Sequence, residues 1–388
     1  MRILTAGGGS GGHVTPVIAV LRELQKQHPD AEYRFWCDKG FSSQAQGLMS
    51  EAFGDKVRVS TIVSGKFRRY HSVSAWEQLR HPLTIILPNI IDGGKFAIGI
   101  VQSLIRLVVW RPNVVFAKGG FVCLPIGVAA HLLRIPLVIH DSDAHPGLTN
   151  RILSRWASRI ATGAPLEYYA YPKSKTEYVG IPVAADLVPP SLQDQAQLKA
   201  KLGLPADRPL VFITGGGLGA VRLNNVVIEA LPDLLGQNSV VLVCGKGQYD
   251  ELRERVGQDR AEFQLHAFIS KNMLEYMAAA DLVIARAGMT TLQELAALAR
   301  PTILVPNAYL TGGHQVKNAK VYADAGAAIV LDETHVQQPG ELSRVAGELL
   351  ASPDRRTALS ERIHTFAKPT AAADTARLIL STQSATMK

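Results

Sequence analysis

Three glycine clusters are the residues of this chain best suited to do chemistry. Gly7-Gly8-Gly9-Ser10-Gly11-Gly12-His13 follows the apolar run 1–6, and Gly215-Gly216-Gly217-Leu218-Gly219 follows residues 209–214. Lys118-Gly119-Gly120-Phe121 follows residues 114–117. A glycine turn between a strand and a helix lets backbone N–H groups approach phosphate oxygens, and the helix dipole favours the negative charge. Beside that reading stands a plainer one, in which the glycines only permit close helix–strand packing. Neither long loop has the dinucleotide spacing, and residues 33–37 lead only to Asp38, so NAD fits poorly. No Gly-Lys-Ser/Thr follows the glycines, so the Walker pattern fails as well. His13 lies just past the first loop, where an imidazole of pKa about 6.5 can take a proton from a hydroxyl or bond a phosphate or the backbone. Asp141-Ser142-Asp143 imitates the paired carboxylates that hold Mn²⁺ or Mg²⁺ against a diphosphate. Two tandem nucleotide-type halves favour reading it instead as a polar loop facing an interdomain cleft.

Alternating strands and helices must position these groups. Residues 1–6 and 209–214 read as buried strands, and each glycine loop then opens a helix. The first helix carries Val17, Ile18, Val20, Leu21 and Leu24 on its apolar face, and the second spans 220–235. Apolar runs at 114–117, 137–140, 240–244, 282–285 and 302–305 fit further parallel strands. The pattern predicts an α/β chain of two Rossmann-like parallel-sheet domains with right-handed crossovers, divided near Gly180-Ile181-Pro182. Residues 371–380 read as a short amphipathic helix.

Composition agrees. The 388 residues are enough for two cores, and 47% hydrophobic with 19% charged residues argues against disorder, collagen or a polytopic membrane protein. Cys37, Cys123 and Cys244 are too few and too scattered for a disulfide framework or zinc knuckle, which points to a reducing cytosol. The first residues lack the apolar core of a signal peptide, so no export is expected. Residues 1–183 hold 21 Lys/Arg against 12 Asp/Glu, a net +9, whereas 184–388 hold 20 against 21. The basic half suits an anionic partner, and without aromatic–basic interleaving nucleic acid is not expected. Residues 83–110 are rich in Leu, Ile and Val but broken by Pro88, Asp92, Gly93-Gly94, Lys95 and Arg106, short of the ~20 apolar residues of a spanning helix. Lys66, Arg68, Arg69, Arg80, Lys95, Arg106 and Arg111 fringe them. Two readings remain: a peripheral docking face for an anionic bilayer, or an ordinary buried helix pair.

Several motifs in order resemble a known family. They are Gly8-Gly9-Ser10-Gly11-Gly12-His13-Val14-Thr15-Pro16, Lys118-Gly119-Gly120-Phe121-Val122, Gly147-Leu148-Thr149-Asn150, and Val179-Gly180-Ile181-Pro182-Val183. Gly215-Gly216-Gly217-Leu218-Gly219-Ala220, Arg286-Ala287-Gly288-Met289-Thr290-Thr291-Leu292-Gln293-Glu294 and His314-Gln315-Val316-Lys317-Asn318-Ala319 continue the series. Together they resemble the MurG family of glycosyltransferase family 28, bacterial N-acetylglucosaminyltransferases that make lipid II for peptidoglycan.

The resemblance implies a GT-B fold, two Rossmann-like domains facing across a cleft. An acceptor and membrane-side domain would span 1–182, a UDP-GlcNAc-binding domain 183–365, and a helix in 366–388 would return to the first domain. Phe268 and Ile269 would border the uracil, Glu294 would accept from the ribose hydroxyls, and Met289, Thr290 and Thr291 would hold the diphosphate and sugar. His314 and Gln315 would meet the GlcNAc hydroxyls, with Ser10, Gly11, Gly12, Asp143 and Gly217 also on the donor. Gly119, Gly120 and Asn150 would lie on the acceptor side, with His13 as catalytic base. The implied reaction is an inverting displacement needing neither metal nor cofactor, on a polyprenyl-pyrophosphoryl-linked muramoyl peptide at the cytoplasmic face of the cell membrane. The chain departs from the family in four places: His140-Asp141-Ser142-Asp143 replaces the common His-Glu-Gln-Asn, Ala184 an arginine, Gly217 a serine and Leu218 a glutamine. Arg222, Lys246 or Arg286 would have to supply the lost cation. Another lipid acceptor, or nucleotide-sugar binding without turnover, are the alternative readings.

Overall fold

The computed structural model describes residues 1–8, 11–65, 87–184, 187–217, 219–269, 271–309 and 313–384. It divides into one unit of Met1–Ala185 with Lys368–Lys388 and a second of Asp186–Ala367.

In the first unit, β1 (Arg2–Ala6), β2 (Glu32–Cys37), β3 (Val57–Thr61), β4 (Val114–Ala117), β5 (Leu137–Asp141), β6 (Arg159–Thr162) and β7 (Thr176–Tyr178) form one parallel sheet. Its order is β3-β2-β1-β4-β5-β6-β7. Helices α1 (Gly11–Gln27), α2 (Ser42–Phe53), α3 (Leu87–Trp110), α4 (Cys123–Leu132) and α5 (Leu148–Leu153) connect the strands. Both faces are covered, so successive residues of a strand enter different cores. Ile3, Phe35, Val114 and Phe116 pack with Val17 and Leu21 of α1, while Leu4, Val115 and Ile139 pack with Leu107 of α3 and Ile126 of α4.

The second unit begins with α6 (Leu192–Lys201), started by a reciprocal cap between Ser191 and Asp194. There follow β8 (Leu210–Thr214), α7 (Val221–Leu235), β9 (Ser239–Val243), α8 (Tyr249–Val256), β10 (Phe263–His266), α9 (Met273–Ala279) and β11 (Leu282–Ala285). Then come α10 (Met289–Ala297), β12 (Thr302–Leu304), α11 (His314–Asp324), β13 (Ile329–Val330), α12 (Glu341–Leu350) and α13 (Pro353–His364). The sheet order is β10-β9-β8-β11-β12-β13, again parallel. Every residue of β4, β5, β8, β9 and β11 is buried, which is why each reads as a mainly apolar run, with polar residues only at the ends of β5, β8 and β9. Helix α14 (Ala371–Ser384) belongs to the first unit, where Ala376 and Ile379 join the core beneath α1 and Leu378 packs on Ala161 and Val179.

Helix α3 corrects one expectation. A buried helix pair does not form: the segment is one helix of 24 residues, about 36 Å long at 1.5 Å per residue. Pro88 falls in its first turn, where a missing N–H costs nothing. Asp92 pairs with Lys95 at 3.2 Å, and Gly99 packs so tightly that a Cβ there would lie 2.0 Å from the Val63 carbonyl oxygen. Residues Asp92, Gly99, Ser103, Leu107 and Trp110 face inward. Ile90, Ile98, Val101, Ile105, Val108 and Val109 face outward, the last of them 81% exposed.

Sheet order reverses between β1 and β4 and again between β8 and β11, the places where open parallel sheets form a crevice beyond their carboxyl ends. Gly120 follows β4 with φ +88°, and a Cβ there would lie 2.5 Å from the Gly8 carbonyl oxygen. Gly217 has open space around it. Gly120→Ala is therefore expected to cost roughly 2 kcal/mol or more in chemical denaturation, from left-handed strain plus the clash. Gly217→Ala should stay within about 0.5 kcal/mol of wild type.

Candidate functional sites at the two sheet edges

At the first edge, the chain leaves β1 through Gly7 and Gly8 and enters α1 at Gly11. A Cβ at Gly8 would meet Asp38 Oδ2 at 2.5 Å and Val122 at 2.9 Å, so the loops after β1, β2 and β4 touch here. Asp38 stands directly after β2, where a ribose-binding acid would stand, but it is buried and its Oδ1 accepts from the Phe41 N–H at 3.1 Å. Gly11, Gly12 and His13 form the first residues of α1; their side chains, and Ser10 altogether, lie outside the described residues. So do Lys66, Arg68, Arg69, Arg80, Leu218 and the stretch 83–86.

Beside the glycines, the turn after β5 is tied from several directions. The Tyr171 hydroxyl donates to Asp141 Oδ2 and the Tyr169 hydroxyl to the Asp143 carbonyl, both at 2.7 Å. The Lys118 ammonium donates to Ser142 Oγ. Asn150, expected on the acceptor side, is buried and donates to the His140 carbonyl at 3.1 Å, so its amide supports the turn from within. Burial pushes Asp141 up to about 7 and draws Lys118 down to about 8. Gly119 and Gly120, both at positive φ, sit between this turn and Gly8.

At the second edge, the loop after β8 turns at Gly216 and Gly219, and a Cβ at Gly219 would lie 2.2 Å from the Cys244 carbonyl oxygen. Gly217 is exposed on that loop. Opposite, the chain leaves β11 through Arg286-Ala287-Gly288 into α10. Gly288 is the N-cap and, having no side chain, makes no side-chain cap bond to the first turn of α10, Met289, Thr290 and Thr291. Asn318 holds this loop by donating to the Ala287 carbonyl at 3.1 Å. One turn on, Glu294 takes no hydrogen bond or ion pair among the described residues, and burial raises it to about 7. Phe268 is exposed, Ile269 half-buried, and Lys246 Nζ stands 5.9 Å from the Phe268 ring centre. His314 and Gln315 open α11, and Gln315 Oε1 accepts from the Asn307 N–H at 2.9 Å, fixing the preceding loop.

The three candidate replacement cations differ. Arg286 is buried, donates to the Val305 carbonyl at 2.8 Å and pairs with Glu333 at 2.8 Å, so it is turned into the fold. Arg222 is half-exposed, bonded to Glu333 at 2.9 Å and stacked 3.9 Å from the Tyr309 ring centre. Lys246 is exposed. Sequence reasoning missed Glu333, Tyr169 and Tyr171, which no motif marks; Lys118 was visible as a charge at the end of an apolar strand.

The edges can thus hold anions on backbone amides, accept hydroxyl donors on Glu294 and pack an aromatic base on Phe268. Residues 3–162 match the glycosyltransferase family 28 N-terminal domain and residues 210–375 its C-terminal domain. A UDP-N-acetylglucosamine--N-acetylmuramyl-(pentapeptide) pyrophosphoryl-undecaprenol N-acetylglucosamine transferase of Bacillus cytotoxicus is 34% identical over 337 residues, 86% of each chain. The crystal structure of Acinetobacter baumannii MurG superposes with a TM-score of 0.71 at 26% identity, covering 98% of this chain and 99% of that one. The calicheamicin glycosyltransferase CalG4 shares the fold alone, with a TM-score of 0.66 at 15% identity and 98% coverage of both chains.

Because Glu294 is raised from 4.5 to about 7, the native state binds more protons than the unfolded one between those values. Stability contributed by this group therefore falls as pH rises from 5 to 8. Melting curves should show Glu294→Gln gaining on wild type over that range, and a constant difference would mean the carboxyl is not desolvated.

Proposed function

The chain belongs to glycosyltransferase family 28, and from that membership we propose that it transfers GlcNAc from UDP-GlcNAc to the C4 hydroxyl of the MurNAc unit of undecaprenyl-pyrophosphoryl-MurNAc-pentapeptide (lipid I), giving lipid II. The observation that carries the donor assignment is the second sheet's edge. There the glycine-led N-terminus of α10, a recessed carboxyl at Glu294 and an exposed ring at Phe268 lie beyond the carboxyl ends of one sheet, matching in kind a diphosphate, a ribose and a uracil.

In this reading Phe268 and Ile269 border the base and Glu294 accepts from the ribose. The first turn of α10 (Met289, Thr290, Thr291) and the loop containing Gly217 take the diphosphate. His314 and Gln315 meet the sugar, joined by Ser10, Gly11, Gly12 and Asp143. His13 removes the proton from the acceptor hydroxyl, which attacks the anomeric carbon as the bond to UDP breaks. The anomeric configuration inverts, and UDP departs with its growing charge stabilised by oriented amides, so no divalent ion is needed for that step. Gly119 and Gly120 line the acceptor side.

The outward face of α3 supports peripheral docking on the membrane that carries the acceptor. Ile98, Val101, Ile105, Val108 and Val109 form an apolar strip on the helix that also carries Lys95 and is followed by Arg111, while Arg106 is turned inward to the Thr61 carbonyl. The proposed docking is on the cytoplasmic face of that membrane. A related transferase acting on a different lipid would share all of these features, and acceptor competition separates the two.

Two measurements test this reading. Purified protein should form lipid II in EDTA with the β-anomer as product, and His13→Ala should keep UDP-GlcNAc affinity while losing transfer by about 10²–10⁴-fold. Retained turnover in that variant would remove His13 from the role of base. Val101→Glu with Val108→Glu, both at exposed positions, should leave the melting temperature in place and abolish sedimentation with anionic vesicles at low salt. Unchanged sedimentation would move the docking face elsewhere.

A further inference from the structure

One buried charge has no part in the reaction just described. Lys118 directly follows β4 with 1% of its surface exposed. Its ammonium donates to Ser142 Oγ, and the carboxylates of Asp143 and Asp141 and the Cys123 thiol lie near enough to favour its charged form. Asp141 is held by the Tyr171 hydroxyl and Asp143 through its carbonyl by Tyr169. Burying an ammonium costs several kcal/mol before pairing, and a methionine would fill similar space without that cost. The charge itself therefore calls for a role. Two carboxylates one residue apart at a strand end form the arrangement that elsewhere holds a divalent ion. In this chain the ammonium that follows the neighbouring strand bonds the serine between the two and acts electrostatically on both.

We infer that Lys118 is a positioning residue, the resident cation that fixes the Asp141-Ser142-Asp143 turn so that Asp143 can engage the nucleotide sugar. It acts through the turn, since its own surface is closed to substrate. The inference rests on the reading above in which Asp143 engages UDP-GlcNAc. Burial brings the ammonium down to about 8, within the range where its loss can be observed, and the carboxylates of Asp141 and Asp143 oppose that shift.

The test is steady-state transfer in EDTA across pH 6.5–9.5, comparing wild type with Lys118→Met and Ser142→Ala. For wild type, KM for UDP-GlcNAc should climb above about pH 8 as the ammonium deprotonates. Lys118→Met should raise KM at least tenfold at pH 7.5 with a smaller change in kcat, and should lose the alkaline rise. If that variant does not fold, Ser142→Ala decides: without its acceptor the ammonium form is less stable, so the alkaline rise should move to lower pH. A KM within twofold of wild type in Lys118→Met, or an alkaline rise unmoved in either variant, overturns the inference, because a packing role alone would lower the melting temperature and leave the pH profile intact. Wild type that fails to transfer GlcNAc would instead sink the underlying reading and this inference with it.

Discussion

The contact on which the first sheet's ligand edge depends is the approach of Gly120 to the backbone of Gly8. At φ +88°, with 2.5 Å between an imagined Cβ and the Gly8 carbonyl oxygen, no other residue fits without moving one of the two loops. Those loops leave β1 and β4, the strands that flank the reversal of sheet order, and the first of them opens α1. The second sheet meets the same requirement at Gly219, pressed against the Cys244 carbonyl. Each unit thus brings backbone amides to its switch point by removing side chains from the places where two loops must touch. Amides fixed in this way need no reorganisation when charge arrives, which is where electrostatic stabilisation is most effective.

That constraint explains how the second sheet's edge can manage with few side-chain cations. Arg286, at the end of β11, is committed to Glu333 and the Val305 carbonyl, and Glu333 in turn holds Arg222. Buried ion pairs contribute little net stability against apolar replacements, so their worth here lies in holding loops in register. The Arg286–Glu333–Arg222 chain ties the ends of β11 and β13 to the first turn of α7. Lys118 and the acidic turn tie β4 to β5 in the same manner.

Much of this was legible in the sequence because parallel strands covered on both faces become unbroken apolar runs. The strands at 114–117 and 282–285 have the expected limits, and the others differ by a residue or so. The glycine loops were legible for the steric reason just given. What could not be read depends on strand order. Lys118 meets Ser142 only because β4 and β5 are neighbours, and Tyr171 reaches Asp141 from 30 residues away. Glu333 joins two arginines that are 111 and 47 positions before it, with no local pattern to mark it. Asn150 was visible as a motif residue, but its inward direction comes from the short helix α5 packing beneath β5.

Helix α3 shows the opposite failure, where local rules were obeyed too closely. Proline, paired glycines and scattered charges lower intrinsic helix propensity, which is why a helix pair is one of the two readings the sequence allows. Tertiary contacts override that preference. Gly99 and Gly65 allow the helix and the 62–65 loop to lie backbone against backbone, Trp110 bonds Glu32 at 2.7 Å, and the Arg34 guanidinium stacks 4.2 Å from its ring centre. These clamps rely largely on small and polar residues, together with Leu107 and Trp110, and they leave most of the branched apolar side chains outside. An ordinary surface helix of a globular unit places its residues the other way round. Placing Asp92, Gly99 and Ser103 inward while Val101, Ile105 and Val108 stay outward gives up burial the unit could have had. Such a distribution makes physical sense for a helix whose outer face meets an apolar neighbour beyond its own fold.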